Sequence, residues 1–410
     1  MSDQPLPPFL MTSDPGSFAR KTIVERKPQI IRQVLADNAY PDEVAAVVEA
    51  FRDEIATRPL QPLRESAPDA AFWNAALSDY ADRTWLEVPW YFAETFFYRK
   101  LLEAVGYFQP GEAGGQDPFQ RQKRKQMEED IQRLTAEWEQ VSDLQPDLRF
   151  EALLHSSLWG NRADLSNFTV KAKGRGGLAA SQERHLILID HTRQVHDRLA
   201  KGGRRLDFIC DNVGSDLLFD LALVDFFLRR GWAHEIHLHL KNQPFFVSDA
   251  MPKDARLTVD LLAKAPGGAM QAWGQRLAGD LADGGLVLET DPFWATCLMF
   301  RQMPANLQEG LAQAALVLLK GDVNYRRLLD DRRWPHTTRM EEICAYFPAP
   351  FVTLRTLKGE IMVGLQPGQA EALQAEDPDW LINGRRGVIQ LVPGPGRPGT
   401  PTSVISPPGN

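Results

Sequence analysis

The chain is short of several features that mark large classes of protein. It has three cysteines, Cys210, Cys297 and Cys344, far apart and without a CxxC pair. That spacing excludes a zinc ribbon or a disulfide framework, and the apolar neighbours of all three suit buried free thiols. No apolar run reaches the ~20 residues that span a bilayer. Met1–Leu10 lacks a basic start followed by an apolar core, so no signal peptide is expected and a cytoplasmic protein is the expectation. Basic residues are outnumbered, 46 Lys and Arg against 54 Asp and Glu. A net charge of −8 argues against a general binder of nucleic acid or membrane surfaces. An anionic substrate would then need a local basic cluster. There is no HExxH. His237 and His239 share a face of one apolar run, but His234 does not, and a third zinc ligand would have to come from elsewhere.

What is present changes character along the chain. Residues 1–150 read as a helical region. Val44, Val47, Val48 and Phe51 form a helical stripe after Pro41. Trp90–Tyr98 is aromatic-rich and continues into Arg99-Lys100-Leu101-Leu102, which suits a buried helix. Pro118–Val141 is charged, with Met127, Ile131, Leu134 and Trp138 at helical spacing. Its basic run, Arg121–Lys125, is expected to be a solvated helix face.

From residue 151 to 392, short apolar runs alternate with helical segments. The runs are Leu186–Ile189, Phe208–Cys210, Glu235–Leu240, Leu286–Leu288, Ala315–Leu319 and Val352–Leu354. This alternation predicts an α/β fold, a three-layer α/β/α sandwich around a mostly parallel sheet. Trp380–Val392 is expected to pack on that body. Residues 393–410, rich in Pro, Gly, Ser and Thr, are expected to be a disordered tail.

The residues after each run carry the chemistry. Asp190 follows the first and Asp211-Asn212 the second. The third leads to Ser248-Asp249 and the fourth to Glu289-Thr290-Asp291. The fifth ends in Lys320-Gly321-Asp322-Val323-Asn324-Tyr325-Arg326, and the sixth gives Arg355-Thr356-Leu357-Lys358. In a parallel sheet such ends share one edge, where open α/β sheets bind ligands. Acids gather on the early strands and basic groups on the late ones. Carboxylates and an amide oxygen suit a hard cation such as Mg²⁺ or Mn²⁺, and the basic groups suit phosphoryl oxygens. Asn161, Asp164 and Ser166 form a further polar cluster able to close over a ligand.

These pieces resemble the metal-dependent damage-control phosphatases, formerly grouped as a domain of unknown function. They resemble most the subfamily with an R-T-x-K motif, one member of which is also described as an acidic-residue (protein-glutamate) methyltransferase. The matching segments are Ser157–Ser166, D-N-V-G-S-D-L-L (Asp211–Leu218), F-V-S-D (Phe246–Asp249), D-P-F-W (Asp291–Trp294), K-G-D-V-N-Y-R (Lys320–Arg326) and L-R-T-L-K (Leu354–Lys358). Weaker matches are Glu94 with Tyr98-Arg99, and D-P-F-x-x-Q-K (Asp117–Lys123). The resemblance implies a divalent cation (Mn²⁺, Mg²⁺, Co²⁺ or Ni²⁺) on Asp211, Asn212 and Asp249. It implies a phosphorylated substrate on Asp322–Arg326 and Lys358. Asp216 stands where the family is expected to have Glu. The expected activity is hydrolysis of small phosphorylated metabolites, such as fructose 1-phosphate or fructose 6-phosphate, with Asp211, Asp216, Asp249 and Lys358 catalytic. Asn161, Lys320, Asp322, Asn324, Tyr325, Arg326 and Arg355 are the further substrate-binding candidates. Two rival readings are S-adenosylmethionine-dependent protein-glutamate O-methylation, for which Lys173–Gly177 is the candidate glycine-rich turn, and a non-catalytic metabolite-binding protein.

Overall fold

Side chains on a strand alternate between faces, and here the two sets enter two different cores. Leu206, Phe208, Leu316, Leu318, Val352 and Leu354 join one apolar cluster. Ile209, Val317, Leu319 and Phe351, between them in sequence, join another. A sheet with two apolar faces must be covered on both. A computed structural model describes residues 5–111, 114–160, 184–266 and 268–394, less the side chains at 56, 57, 136, 137 and 140. Its sheet has seven strands: β1 (Ile187–Asp190), β2 (Arg204–Ile209), β3 (Ala233–Leu240), β4 (Leu286–Thr290), β5 (Leu316–Lys320), β6 (Phe351–Thr356) and β7 (Gly387–Val392). They lie in the order β1-β7-β6-β5-β2-β3-β4.

β2 to β6 are mutually parallel. β7 runs antiparallel to β6 and parallel to β1. Two expectations change here. Trp380–Val392 does more than pack on the body: it contributes a strand between β1 and β6. And because β1 runs against β2–β6, Asp190 lies at the opposite edge from Asp211 and Lys358. Its carboxylate instead accepts from the Thr192 backbone N–H (3.0 Å) at the start of the next helix.

One face is covered by helices that include Gln120–Ser142, Pro146–Trp159 and Ser215–Arg229. Met127, Ile131, Leu134 and Trp138 are the stripe that turns the first of these toward the sheet. The other face is covered by the segments around Phe293–Phe300, Gly321–Leu328 and Met340–Ile343. Apolar residues between Ile23 and Phe119 form a third cluster, joined by Phe245 and Phe246 from the loop after β3. The helical region is thereby seated on the edge where β2, β3, β5 and β6 end. Its centre is the helix Trp90–Ala104, buried along nearly its whole length. In packing terms residues 127–159 belong with the sheet, ahead of the expected division at 150. No helix of the described residues is long and apolar enough to cross a membrane. Asn161, Asp164, Ser166, Lys173–Gly177 and the tail from 395 lie outside the described residues.

Candidate active site

Two loops bring the acids together. After β2 the chain runs Asp211-Asn212-Val213, and after β3 it returns through Ser248-Asp249-Ala250. Backbone hydrogen bonds zip them: Val213 N–H to Ser248 O (2.8 Å), Ala250 N–H to Asp211 O (2.9 Å) and Lys241 N–H to Ala250 O (3.0 Å). Phe246 adopts φ 54°, a left-handed conformation that a bulky residue rarely holds without a constraint. Its ring is seated on Tyr98, with centroids 4.9 Å apart.

Asp211, Asn212, Asp216, Asp249, Lys320, Asp322, Arg326 and Lys358 line one cleft of about 380 Å³. Asn212 organises the acids: its Nδ2 donates to Asp211 Oδ2 (2.9 Å) and Asp216 Oδ2 (3.0 Å), and its Oδ1 accepts from Ser248 Oγ (2.6 Å). Glycines leave room for two carboxylates. A Cβ on Gly321 (φ 84°) would fall 1.9 Å from Asp211 Oδ2. One on Gly160 would fall 2.1 Å from Asp216 Oδ1. Any side chain at either position would displace the acid.

Burial, then the like charges of Asp249 and Asp216, push the Asp211 carboxyl well above the usual range. Asp249 is also raised by burial, against the opposing pull of Lys241, whose ammonium lies 3.3 Å away. Burial thus acts on both acids, with Lys241 the cation in contact with Asp249. Among the described residues no three His, Cys, Asp or Glu side chains are gathered to hold a metal by themselves. The available donors are the two carboxylates and, with its amide turned from the orientation that points Nδ2 at Asp211, the Asn212 oxygen, a hard set that fits an oxygen-seeking cation.

The basic side of the cleft is built differently. Lys320, buried at the end of β5, reaches Asp220 Oδ1 at 2.8 Å and donates to both oxygens of Ser157. Lys358 is exposed in the cleft, and its backbone N–H donates to Asp322 Oδ1 (3.3 Å). Arg326 is fully buried and stacks on Trp90 with its guanidinium carbon 3.4 Å from the ring centre. Its Nε donates to Asp331 Oδ1 (2.7 Å), but Nη1 and Nη2 have no partner among the described residues.

Three candidates stand behind the lining, where their side chains hold the fold. Asn324 Nδ2 donates to the carbonyls of Lys320 (2.8 Å) and Cys210 (3.3 Å). Tyr325 is buried, and its hydroxyl accepts from Val363 N–H (3.1 Å). Arg355 donates to Asp322 Oδ1 (2.7 Å) and to the carbonyls of Gly359 and Ile361, which shapes the turn that carries Lys358. Asn161, next to Gly160, lies outside the described residues.

Other residues of the site escape a reading of strand ends. Trp90, Glu94 and Tyr98 line the cleft from the helical region. Lys123 does not belong to a solvated face: it is buried, and its ammonium bonds Asp117 (3.0 Å), Asp254 (3.2 Å) and the Asp249 carbonyl (2.8 Å). The signal available for Glu94 is a lone acid inside W-Y-F-A-E-T-F-F-Y.

Residues 22–373 match the model of the damage-control phosphatase ARMT1-like domain. The zebrafish (Danio rerio) protein named damage-control phosphatase ARMT1 is 33% identical, covering 94% of this chain and 97% of the relative. The human protein of the same name is 30% identical, covering 94% and 98%. A crystal structure of a DUF89 family protein from Pyrococcus horikoshii aligns with a TM-score of 0.46 at 13% identity, over 91% of this chain and 96% of that one. With most of its length matched by the domain model and by full-length relatives, the chain belongs to the family of ARMT1-like damage-control phosphatases.

Proposed function

We propose that this phosphatase hydrolyses sugar phosphates, such as fructose 1-phosphate or fructose 6-phosphate, and works with a divalent cation (Mn²⁺, Mg²⁺, Co²⁺ or Ni²⁺). The observation that carries the reading is Arg326. A fully buried guanidinium with two nitrogens unpartnered among the described residues is costly, and an anion in the cleft would supply their partners. A phosphoryl group offers three oxygens to such a fork.

Asp211, Asn212 and Asp249 would hold the cation, which when bound would polarise the phosphoryl group and acidify a water. Asn212 keeps the acids in register through its hydrogen bonds to Asp211 and Asp216. Arg326 and Lys358 would neutralise charge on the transferring group. Lys320, held by Asp220 and Ser157, adds fixed positive charge at the floor. Asp322, braced by Arg355, sets the turn that carries Lys358. Asp216, against Gly160, is the candidate to orient the attacking water.

The test is an assay of purified protein with a panel of sugar phosphates, with and without Mn²⁺. Phosphate release that depends on the cation and favours sugar phosphates is expected. No release from any member of the panel would end the reading.

A further inference from the structure

The helical region supplies a wall of the cleft as well as a cover. Trp90, Glu94 and Tyr98 are spaced i, i+4, i+8, so they share one face of their helix. Each step along that face is about 6 Å. The first residue carries the Arg326 guanidinium. The second is a carboxylate buried to 3% exposure. One of its oxygens, Oε1, is bound by the ammonium of Lys27, which lies 4.3 Å from the Tyr98 ring centre and 4.6 Å from that of Phe97. The other, Oε2, is buried and has no hydrogen-bond partner among the described residues.

A structural ion pair does not account for this arrangement. Burial pulls Lys27 down to about 8 in spite of Glu94, so the pair sits in a poor place for charge. A carboxylate oxygen only accepts hydrogen bonds, and leaving one bare in a buried site is costly. What would satisfy it is an O–H donor that enters the cleft, about one helical turn from the group Arg326 holds. A sugar phosphate has that pattern: an anion at one end and hydroxyls a few bonds away.

We propose that Glu94 is a specificity-determining residue, whose free oxygen accepts a hydrogen bond from a substrate hydroxyl and so selects polyhydroxylated phosphate esters. The assignment rests on the phosphatase reading above. Lys27 is its positioning residue, holding the carboxylate of this cleft-lining residue through Oε1. A site built to bond a hydroxyl discriminates strongly against esters that lack one.

The experiment compares fructose 1-phosphate with p-nitrophenyl phosphate, whose leaving group has no further hydroxyl. The readout is the ratio of the two kcat/KM values, with Mn²⁺ present. In Glu94→Gln this ratio should fall about tenfold or more relative to wild type. That variant leaves Lys27 buried without its counter-charge, so Lys27→Met/Glu94→Gln is measured beside it, with a thermal melt of each. The double variant removes both charges and should show the same fall. A ratio within twofold of wild type in a folded variant would overturn the role of Glu94 while leaving the phosphatase reading intact. Wild type inactive on both esters would overturn the phosphatase reading, and the Glu94 assignment with it.

Discussion

Arg326 and Arg327 leave one turn of helix for opposite regions of the molecule. Both are fully buried. Arg327 turns into the layer beneath the cleft, between the rings of Phe293 and Phe300, and donates to the carbonyls of Leu298, Phe293 and Trp294. Every nitrogen has a partner. Arg326 lines the cleft and keeps two nitrogens without one among the described residues. The same side chain in the same helix therefore meets two different surroundings. A saturated guanidinium is a rivet for irregular backbone, whereas an unsaturated one holds binding capacity for a ligand.

The contrast predicts a ranked set of outcomes. The largest concerns the acids across from Arg326. Chelator treatment should abolish sugar-phosphate turnover, and added Mn²⁺ or Mg²⁺ should restore it; full activity in chelated protein would remove the cation from the scheme. Asp249→Ala should cut kcat by orders of magnitude in a folded protein, since Asp249 is assigned to the cation. Near-normal turnover would show that the zipped loops are structural.

Next come the arginines themselves. Arg326→Lys should lower kcat/KM by about two powers of ten with a modest change in melting temperature, because the fork is lost and the charge kept. Arg327→Lys should do the reverse, costing about 1–3 kcal/mol of stability for carbonyls left short of donors, with kcat/KM within about threefold. Matching losses in the two variants would break the comparison. Lys358→Ala, on the exposed lip of the cleft, should cost on the order of two to three powers of ten in rate. Its stability should change by less than about 0.5 kcal/mol. Wild-type kinetics would exclude Lys358 from the site.

The smallest effect lies outside the cleft. Burial pushes Asp207 upward, but hydrogen bonds and charge from His239 and Arg205 outweigh it, and the carboxyl titrates below its usual range. Its stabilisation is thus present above the unfolded value of 3.8 and is lost as pH falls through the lower folded value. The melting-temperature gap between wild type and Asp207→Asn should shrink as pH drops below about 4.

Strand ends were legible because local pattern determines them. A buried parallel strand needs a continuous apolar run, and the polar residues after it mark the edge. That logic picked out Asp211, Asn212, Asp249, Lys320 and Lys358, which line one cleft. It could not separate Arg326 from Asn324 and Tyr325, which share its motif. Helical periodicity sends the three side chains in different directions, and only the packed neighbours say which direction is the cleft. Asp190 misled for a similar reason: strand polarity is set by the pairing partner, here β7. Glu94 and Lys123 were out of reach of strand-end reasoning. Each lies on a helix and meets residues distant in sequence: Glu94 lines the cleft beside Asp211 and Arg326, and Lys123 bonds the Asp249 carbonyl.

The position of β7 has a consequence for how the molecule is made. Residues 387–392 lie between β1 and β6, and β1 has no other neighbour in the sheet among the described residues. During synthesis β2 to β6 can pair as they emerge, but β1, translated before all of them, has nothing to join until β7 has left the ribosome. The N–H groups of Gly387 and His191, which bond Leu186 O and Ile389 O, make their contacts only then. A stop codon shortly before residue 387 would therefore remove two strands from the sheet while deleting one from the chain, and a nascent protein halted there would display an unpaired β6 edge.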